Sequence, residues 1–357
     1  MSTFKILKPV ALTDDILVST NVHEIAPALY DSGTTYALGA FCHVVNGFAL
    51  DIYESKQAGN TDHAPASSTD WWQYRSSTYP EYASGTTYPE KARIIIAATH
   101  SVYESVQAGN TGHAPADNLT TWWVRVGSTN PWISYDAKVG SQTERTGKIT
   151  YELLPGMIEG VALFNVAGLS MDLVYTDPGD GEVYNETISL ISTSSVFDAY
   201  SYCFGEFLTT KNYVVTAFPP YSGATLEITI NAESDSSLAK CGEIAFGRVA
   251  NIGASQYAPS LEIRDFSTKE EDAYGDFTVY ERAFKKDIAC TVKIDTSMLE
   301  YVQNIFEEYR ATPAVWILTE IQGLSSPYLS YAFYKRFRYE TPFFNRNMAT
   351  IELIGLT

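Results

Sequence analysis

The sequence predicts a mainly β protein, and three observations predict it. Hydrophobic residues make up 45% and aromatics 13%, with 25 Tyr and 17 Phe against 18% charged residues; this is the composition of a folded, strand-leaning chain. From about Ile149, short segments of alternating polarity follow one another, including ITYELL, VALFNV, MDLVYT, EVYNETISL, YVVTAF and LEITI, the spacing of an antiparallel β-sandwich. Near the N-terminus a small unit is written twice, the signature of a modular architecture. A chain of 357 residues exceeds one ordinary core, so roughly two to four domains are expected.

The repeat is specific. Residues 53–72 read YESKQAGNTDHAPASSTDWW and residues 103–123 read YESVQAGNTGHAPADNLTTWW, and upstream Tyr30-Asp-Ser-Gly-Thr-Thr-Tyr36 matches Tyr82-Ala-Ser-Gly-Thr-Thr-Tyr88. Residues 30–80 and 81–135 are therefore two small tandem modules, preceded by an N-terminal extension or docking segment, 1–29. In the modules FCHVVNGFALDIYES and ARIIIAATHSVYES read as paired short strands, turning at Val45-Asn46-Gly47 and at Ala97-Ala98-Thr99-His100. Units this short bury little surface alone, so each must lean on a few large aromatics or on a neighbour.

Residues 136–240 carry the sandwich. Within it Asp177-Pro-Gly-Asp180-Gly-Glu182 reads as a hairpin loop; it is too short and too poor in alternating ligands for an EF-hand. Residues 241–357 read as a β-dominated α+β domain with one clear helix. There Ser297-Met-Leu-Glu300 has the form of a capping box, Leu299, Val302, Phe306 and Tyr309 share a face, and Thr312-Pro313 stops the helix.

Candidate binding residues are aromatic. Sugar rings present flat, weakly polarised C–H faces, which aromatic side chains can cover, and Tyr53, Trp71, Trp72, Tyr103, Trp122 and Trp123 are the available platforms. Adjacent strand residues face opposite sides, so one indole of each Trp pair is expected to pack and the other to point outward. His63 and His113 recur in Asn-Thr-x-His-Ala-Pro; with no second ligand at metal spacing they are expected to hydrogen-bond the backbone.

Catalytic chemistry is not written in the chain. It contains no Gly-x-Ser-x-Gly, HExxH or Walker loop, so no catalytic residues, cofactor or metal are expected. Glu270-Glu271-Asp272 and Glu307-Glu308 read as solvated surface. Cys42, Cys203, Cys241 and Cys290 are widely spaced and read as buried free thiols. With Lys plus Arg at 24 and Asp plus Glu at 42, the formal charge of −18 argues against nucleic acid as a partner. The basic run Lys335-Arg336-Phe337-Arg338 is accordingly expected to meet acidic neighbours in an assembly. No uninterrupted apolar stretch is long enough to insert in a membrane, and none near the N-terminus reads as a signal peptide.

The order Tyr-x-x-Gly-x-x-Tyr, apolar strand, Tyr-Glu-Ser, Ala-Gly-Asn, Pro and Trp-Trp resembles the small chitin-binding-type carbohydrate modules of chitinases and cellulases. With Gly127-Ser-Thr-Asn-Pro-Trp-Ile133 following, the wording is more similar to versions in tail proteins of tailed phages. That resemblance implies a non-enzymatic component of a phage tail tip or baseplate, made in the host cytoplasm and located in the virion; the alternative is a secreted or tail-associated carbohydrate-binding protein, with a glycan hydrolase the less favoured reading. It further implies other tail proteins as partners, a homo-oligomeric ring or trimer, and modules that dock to neighbours or bind host-surface glycans.

Overall fold

The computed structural model describes residues 3–192, 196–205, 208–256, 259–271, 274–282, 284–319, 326–343 and 346–356. Antiparallel strands dominate it, and the chain is mainly β as expected. A five-stranded sheet runs in the order Gly181–Ser189, Ser170–Asp177, Thr225–Asn231, Lys148–Leu153, Leu17–Thr20. Strict alternation gives it one apolar face: Ile149, Tyr151 and Leu153, then Met171, Leu173 and Tyr175, then Leu226, Ile228 and Ile230 are all fully buried. These side chains pack with Val161, Leu163, Ile244 and Phe246 in a single core, which makes this half a sandwich.

The strand Glu243–Ser255 links that sandwich to a six-stranded barrel. Its first residues pair with Gly160–Phe164, its middle and end with Thr3–Pro9, and Ala254 and Ser255 with Phe284–Asp295. The barrel continues from Thr3–Pro9 through Ala314–Ile317, Leu329–Phe343 and Arg346–Gly355 back to Phe284–Asp295. Closure leaves those six strands no free edge between them. Gly247 pairs with both Pro9 and Gly160, and a Cβ there would lie 1.9 Å from the Lys8 carbonyl oxygen; the backbones approach this closely only because the residue is glycine.

Two expectations about domains change. Residues 1–29 are no separate extension, since Thr3–Pro9 sits between two barrel strands and Leu17–Thr20 edges the sandwich. The boundary at 240/241 is also not a seam, because the strand beginning at Glu243 belongs to both cores. Local alternation revealed the strands, whereas pairing across most of the chain left no local mark.

The helix Leu299–Glu308 buries Val302, Ile305 and Phe306, and Phe306 stacks on Phe337 with ring centroids 4.0 Å apart. Its predicted capping box does not form. A 3₁₀ turn, Thr296–Met298, leads into the helix and places Met298 at the cap, so Ser297 lies within the turn. A second, short helix, Ala199–Phe204, was not anticipated, and Asp198 and Ser201 cap it reciprocally. The hairpin loop forms, with the Asp177 carboxylate accepting from the N–H groups of Gly179 and Asp180.

Lys335 reaches Glu352 at 3.8 Å and Arg338 reaches Glu340 at 2.7 Å, so two cations of the basic run meet carboxylates within the chain itself. Glu270, Glu271, Glu307 and Glu308 are exposed, and Asp272 lies outside the described residues. Cys42, Cys241 and Cys290 are buried thiols, which burial pushes up to about 12. Cys203 departs from expectation, standing exposed on the short helix.

Glu243 is 4% exposed. One of its carboxyl oxygens accepts from the Ala137 N–H at 3.0 Å, and burial followed by the nearby Asp136 charge raises its pKa from 4.5 to about 9. The raised value favours folding fully below pH 4.5, and that contribution is lost progressively as pH climbs through the window to about 9. Glu243→Gln, neutral at every pH, is expected to flatten the stability profile across that window and to raise the melting temperature at pH 8 to 9. Thermal unfolding at stepped pH checks it. Deleting residues 1–9 would strip a neighbour from both Glu243–Ser255 and Ala314–Ile317. Loss of a cooperative unfolding transition is the expected result, and an unchanged denaturant midpoint would show the strand to be dispensable.

Candidate functional site

Each module is a three-stranded antiparallel sheet. The first comprises Phe41–Asn46, Ala49–Ser55 and Trp72–Thr78, the second Arg93–Ile96, Ser101–Ser105 and Trp123–Ser128. The first hairpin turns at Gly47-Phe48, one residue later than predicted, because Asn46 pairs with Ala49 and Gly47 takes the positive φ of 61°. In the second, a 3₁₀ turn over Ala97–Thr99 ends on His100 in the left-handed region.

Most of the repeated residues build the scaffold, in the same way twice. Trp72 is 2% exposed and Trp123 fully buried, and each indole N–H donates to a carbonyl 2.7 Å away, that of His63 and of His113 respectively. Tyr36 meets Trp72 edge-on at 4.9 Å and Tyr88 meets Trp123 at 5.2 Å. The tyrosine hydroxyls accept from the backbone N–H of Asp31 and of Ala83, both at 2.8 Å. The buried amides of Asn60 and Asn110 donate to Ser55 and Ser105, both at 3.0 Å. Tyr30 and Tyr82 also meet Trp72 and Trp123 edge-on, and a cluster of one Trp and two Tyr suits a unit with so few aliphatic residues.

What the scaffold leaves outward is one Trp per module. The flat face of Trp71 stacks on the His63 imidazole at 3.9 Å and 14°, and Trp122 stacks on His113 at 4.0 Å and 11°. All four rings are half-buried, so each stack presents an indole and an imidazole together at the surface. Each Trp pair thus divides into an inward indole that opens a strand, Trp72 or Trp123, and an outward one in the turn before it, Trp71 or Trp122.

The candidate set narrows accordingly. Trp72, Trp123 and Tyr103, the last 8% exposed, belong to module cores and offer no open ring face. Tyr53 is half-buried, edge-on to Tyr74 at 5.7 Å. His63 and His113 enter the site through ring stacking, while their backbone carbonyls, rather than their rings, hold the scaffold. Their recurrence in Asn-Thr-x-His-Ala-Pro ahead of each Trp pair was the available signal, and only the folded loop turns that recurrence into contact. Among the described residues, no group of three or more His, Cys, Asp and Glu side chains could hold a metal ion.

The modules are seated differently. In the first, Arg75 joins Glu54 at 2.7 Å and Asp235 of the sandwich at 2.5 Å. Arg145 bonds the carbonyls of Asn21 and Lys148 at 3.0 and 2.9 Å and approaches Glu54 at 3.5 Å. Burial, then the Arg75 charge, lowers the Arg145 pKa to about 10. In the second module, His100 lies between Glu24 and Asp14 at 3.0 and 2.9 Å and stacks on Trp132 at 3.6 Å. The strand Trp123–Ser128 leaves Val124 and Val126 nearly half exposed.

Trp72→Ala and Trp123→Ala are each expected to cost about 3–5 kcal/mol by removing a buried indole, whereas Trp71→Ala and Trp122→Ala should cost about 1 kcal/mol for the lost stack. Denaturant unfolding of the four variants distinguishes the two classes.

No protein-family model and no curated protein matches the chain. Among solved structures it is similar to a mutant of the lectin-binding domain of lectinolysin complexed with Lewis b, at 13% identity over 35% of this chain and 85% of that one, with a TM-score of 0.24. A likeness at that level carries no argument.

Proposed function

We propose that the chain is a non-catalytic binding and assembly component of a phage tail tip or baseplate, with host-surface glycan as the ligand of its tandem modules. The observation that carries the glycan reading is the duplicated stack of Trp71 on His63 and Trp122 on His113, half-exposed and alike in geometry. An indole held flat by an imidazole is ordered before a ligand arrives, which lowers the entropy cost of binding a sugar face. Two such stacks on one chain allow a repetitive glycan to engage both, so that weak single contacts combine.

The assembly half of the reading is supported by the strand Ser260–Asp265 and the hairpin Thr268–Glu271 with Phe277–Tyr280. Ile263, Phe277 and Val279 are 68%, 65% and 59% exposed there, an apolar surface suited to cover by another copy or another tail protein. The tail setting itself rests on the sequence resemblance of the modules.

A glycan array with wild type, the single variants Trp71→Ala and Trp122→Ala, and the double variant tests the ligand. Binding by wild type, a loss of roughly tenfold in each single variant and its disappearance in the double are expected. Equal binding by the double variant would remove the stacks from the site. Mass spectrometry of purified phage particles tests the setting, and absence of the chain from the virion would end that reading.

A further inference from the structure

Where the sandwich meets the barrel, a cavity of about 630 Å³ opens, lined by residues far apart in the chain: 138–141, 164–165, 211–212, 281–282, 284–286, 329–331 and 355–356. Its size falls in the range of small-molecule sites, roughly 300–1,000 Å³. Five cations line it, Lys138, Lys211, Arg282, Lys285 and Lys286, against one carboxylate, Glu281. In a chain whose formal charge is −18, so local an excess of positive charge is a property of this place.

Two of the five cations are already paired, Lys285 with Asp287 at 3.5 Å and Lys138 with Asp136 at 4.0 Å. Lys211, Arg282 and Lys286 have no acidic partner among the described residues. Lys286 is half-buried, and desolvation, then the charge of Lys211, lowers its pKa. A desolvated ammonium facing a second cation is unfavourable unless an anion joins them. Phe284 and Leu329 add apolar wall beside the cations.

We propose that this cavity is a binding site for a small organic anion, whose carboxylate or phosphate is held by Lys211, Lys286 and Arg282 and whose ring or hydrocarbon body lies against Phe284 and Leu329. The site is separate from the Trp–His stacks and does not depend on their ligand. Charge-assisted hydrogen bonds to the anionic group would supply orientation, and the apolar wall would favour an organic anion over an inorganic one.

The test is calorimetric titration of the full chain with phenyl phosphate, phenyl glucuronide, inorganic phosphate and the neutral phenyl glucoside. Expected is saturable binding of phenyl phosphate or phenyl glucuronide, whichever is tighter naming the anionic group, about tenfold stronger than that of inorganic phosphate. Lys211→Gln and Lys286→Gln should each weaken it about tenfold, and Lys148→Gln, on an exposed side chain away from the cavity, should leave it unchanged. Because Lys211 is exposed, its variant keeps the fold even if that of Lys286 does not. Its melting temperature without ligand should rise as the repulsion on Lys286 is relieved. No binding of either organic anion, equal binding of phenyl glucoside, or equal loss in the Lys148 variant would overturn the proposal.

Discussion

The backbone hydrogen bonds of Glu243–Ser255 are shared among three neighbours, and the architecture depends on that division. A strand can satisfy its N–H and C=O groups on two sides only, yet this one changes partner along its length, from Gly160–Phe164 to Phe284–Asp295 on the way to its end. Sandwich and barrel are thereby joined through a continuous ladder. A hinge between them would have to break ladder bonds, which separates this junction from a linker between domains. Gly247 is the tightest point, since the Lys8 carbonyl occupies the space any side chain would need.

The tandem modules are attached by a different kind of force. Their seats on the body are built largely from side chains: Arg75 on Asp235, Arg145 across Glu54 and the carbonyls of Asn21 and Lys148, and His100 between Glu24 and Asp14. Bonds of that kind tolerate substitution position by position, and the two copies have used the freedom. Their cores coincide almost residue for residue, with Trp72 and Trp123, Tyr36 and Tyr88, and Asn60 and Asn110 in equivalent bonds. Their third strands have diverged: Arg75 is buried against the sandwich, and Val126 of the second copy is nearly half exposed.

Much of this was legible in the sequence. The duplicated wording gave two modules, alternation gave the sandwich strands, and the face shared by Val302 and Phe306 gave the helix, because each signal is local and periodic. The place of Thr3–Pro9 was not legible, since pairing with Ala314–Ile317 leaves no trace in either segment. One inward and one outward indole per pair was expected from strand alternation, but Trp71 and Trp122 lie in turns ahead of strands that start at Trp72 and Trp123, so which was which was not legible. Stacking of His63 and His113 on the outward indoles required the loop between them to close. The cationic cavity draws Lys138, Lys211, Arg282 and Lys286 from distant stretches, so no run of basic residues announces it.

The position of Thr3–Pro9 also sets an order in time. Lys8 meets Glu308 across 300 residues of sequence, and the same strand lies against Ala314–Ile317. During synthesis the modules emerge whole and can order while the barrel still lacks most of its wall. The first strand must wait, unpaired, until Glu243–Ser255 has been made, and it lacks its second neighbour until Ala314–Ile317 follows. Loop closure over such a span is slow, so the apolar side chains of Phe4, Ile6 and Leu7 remain exposed the longest and make this segment the natural client for a chaperone.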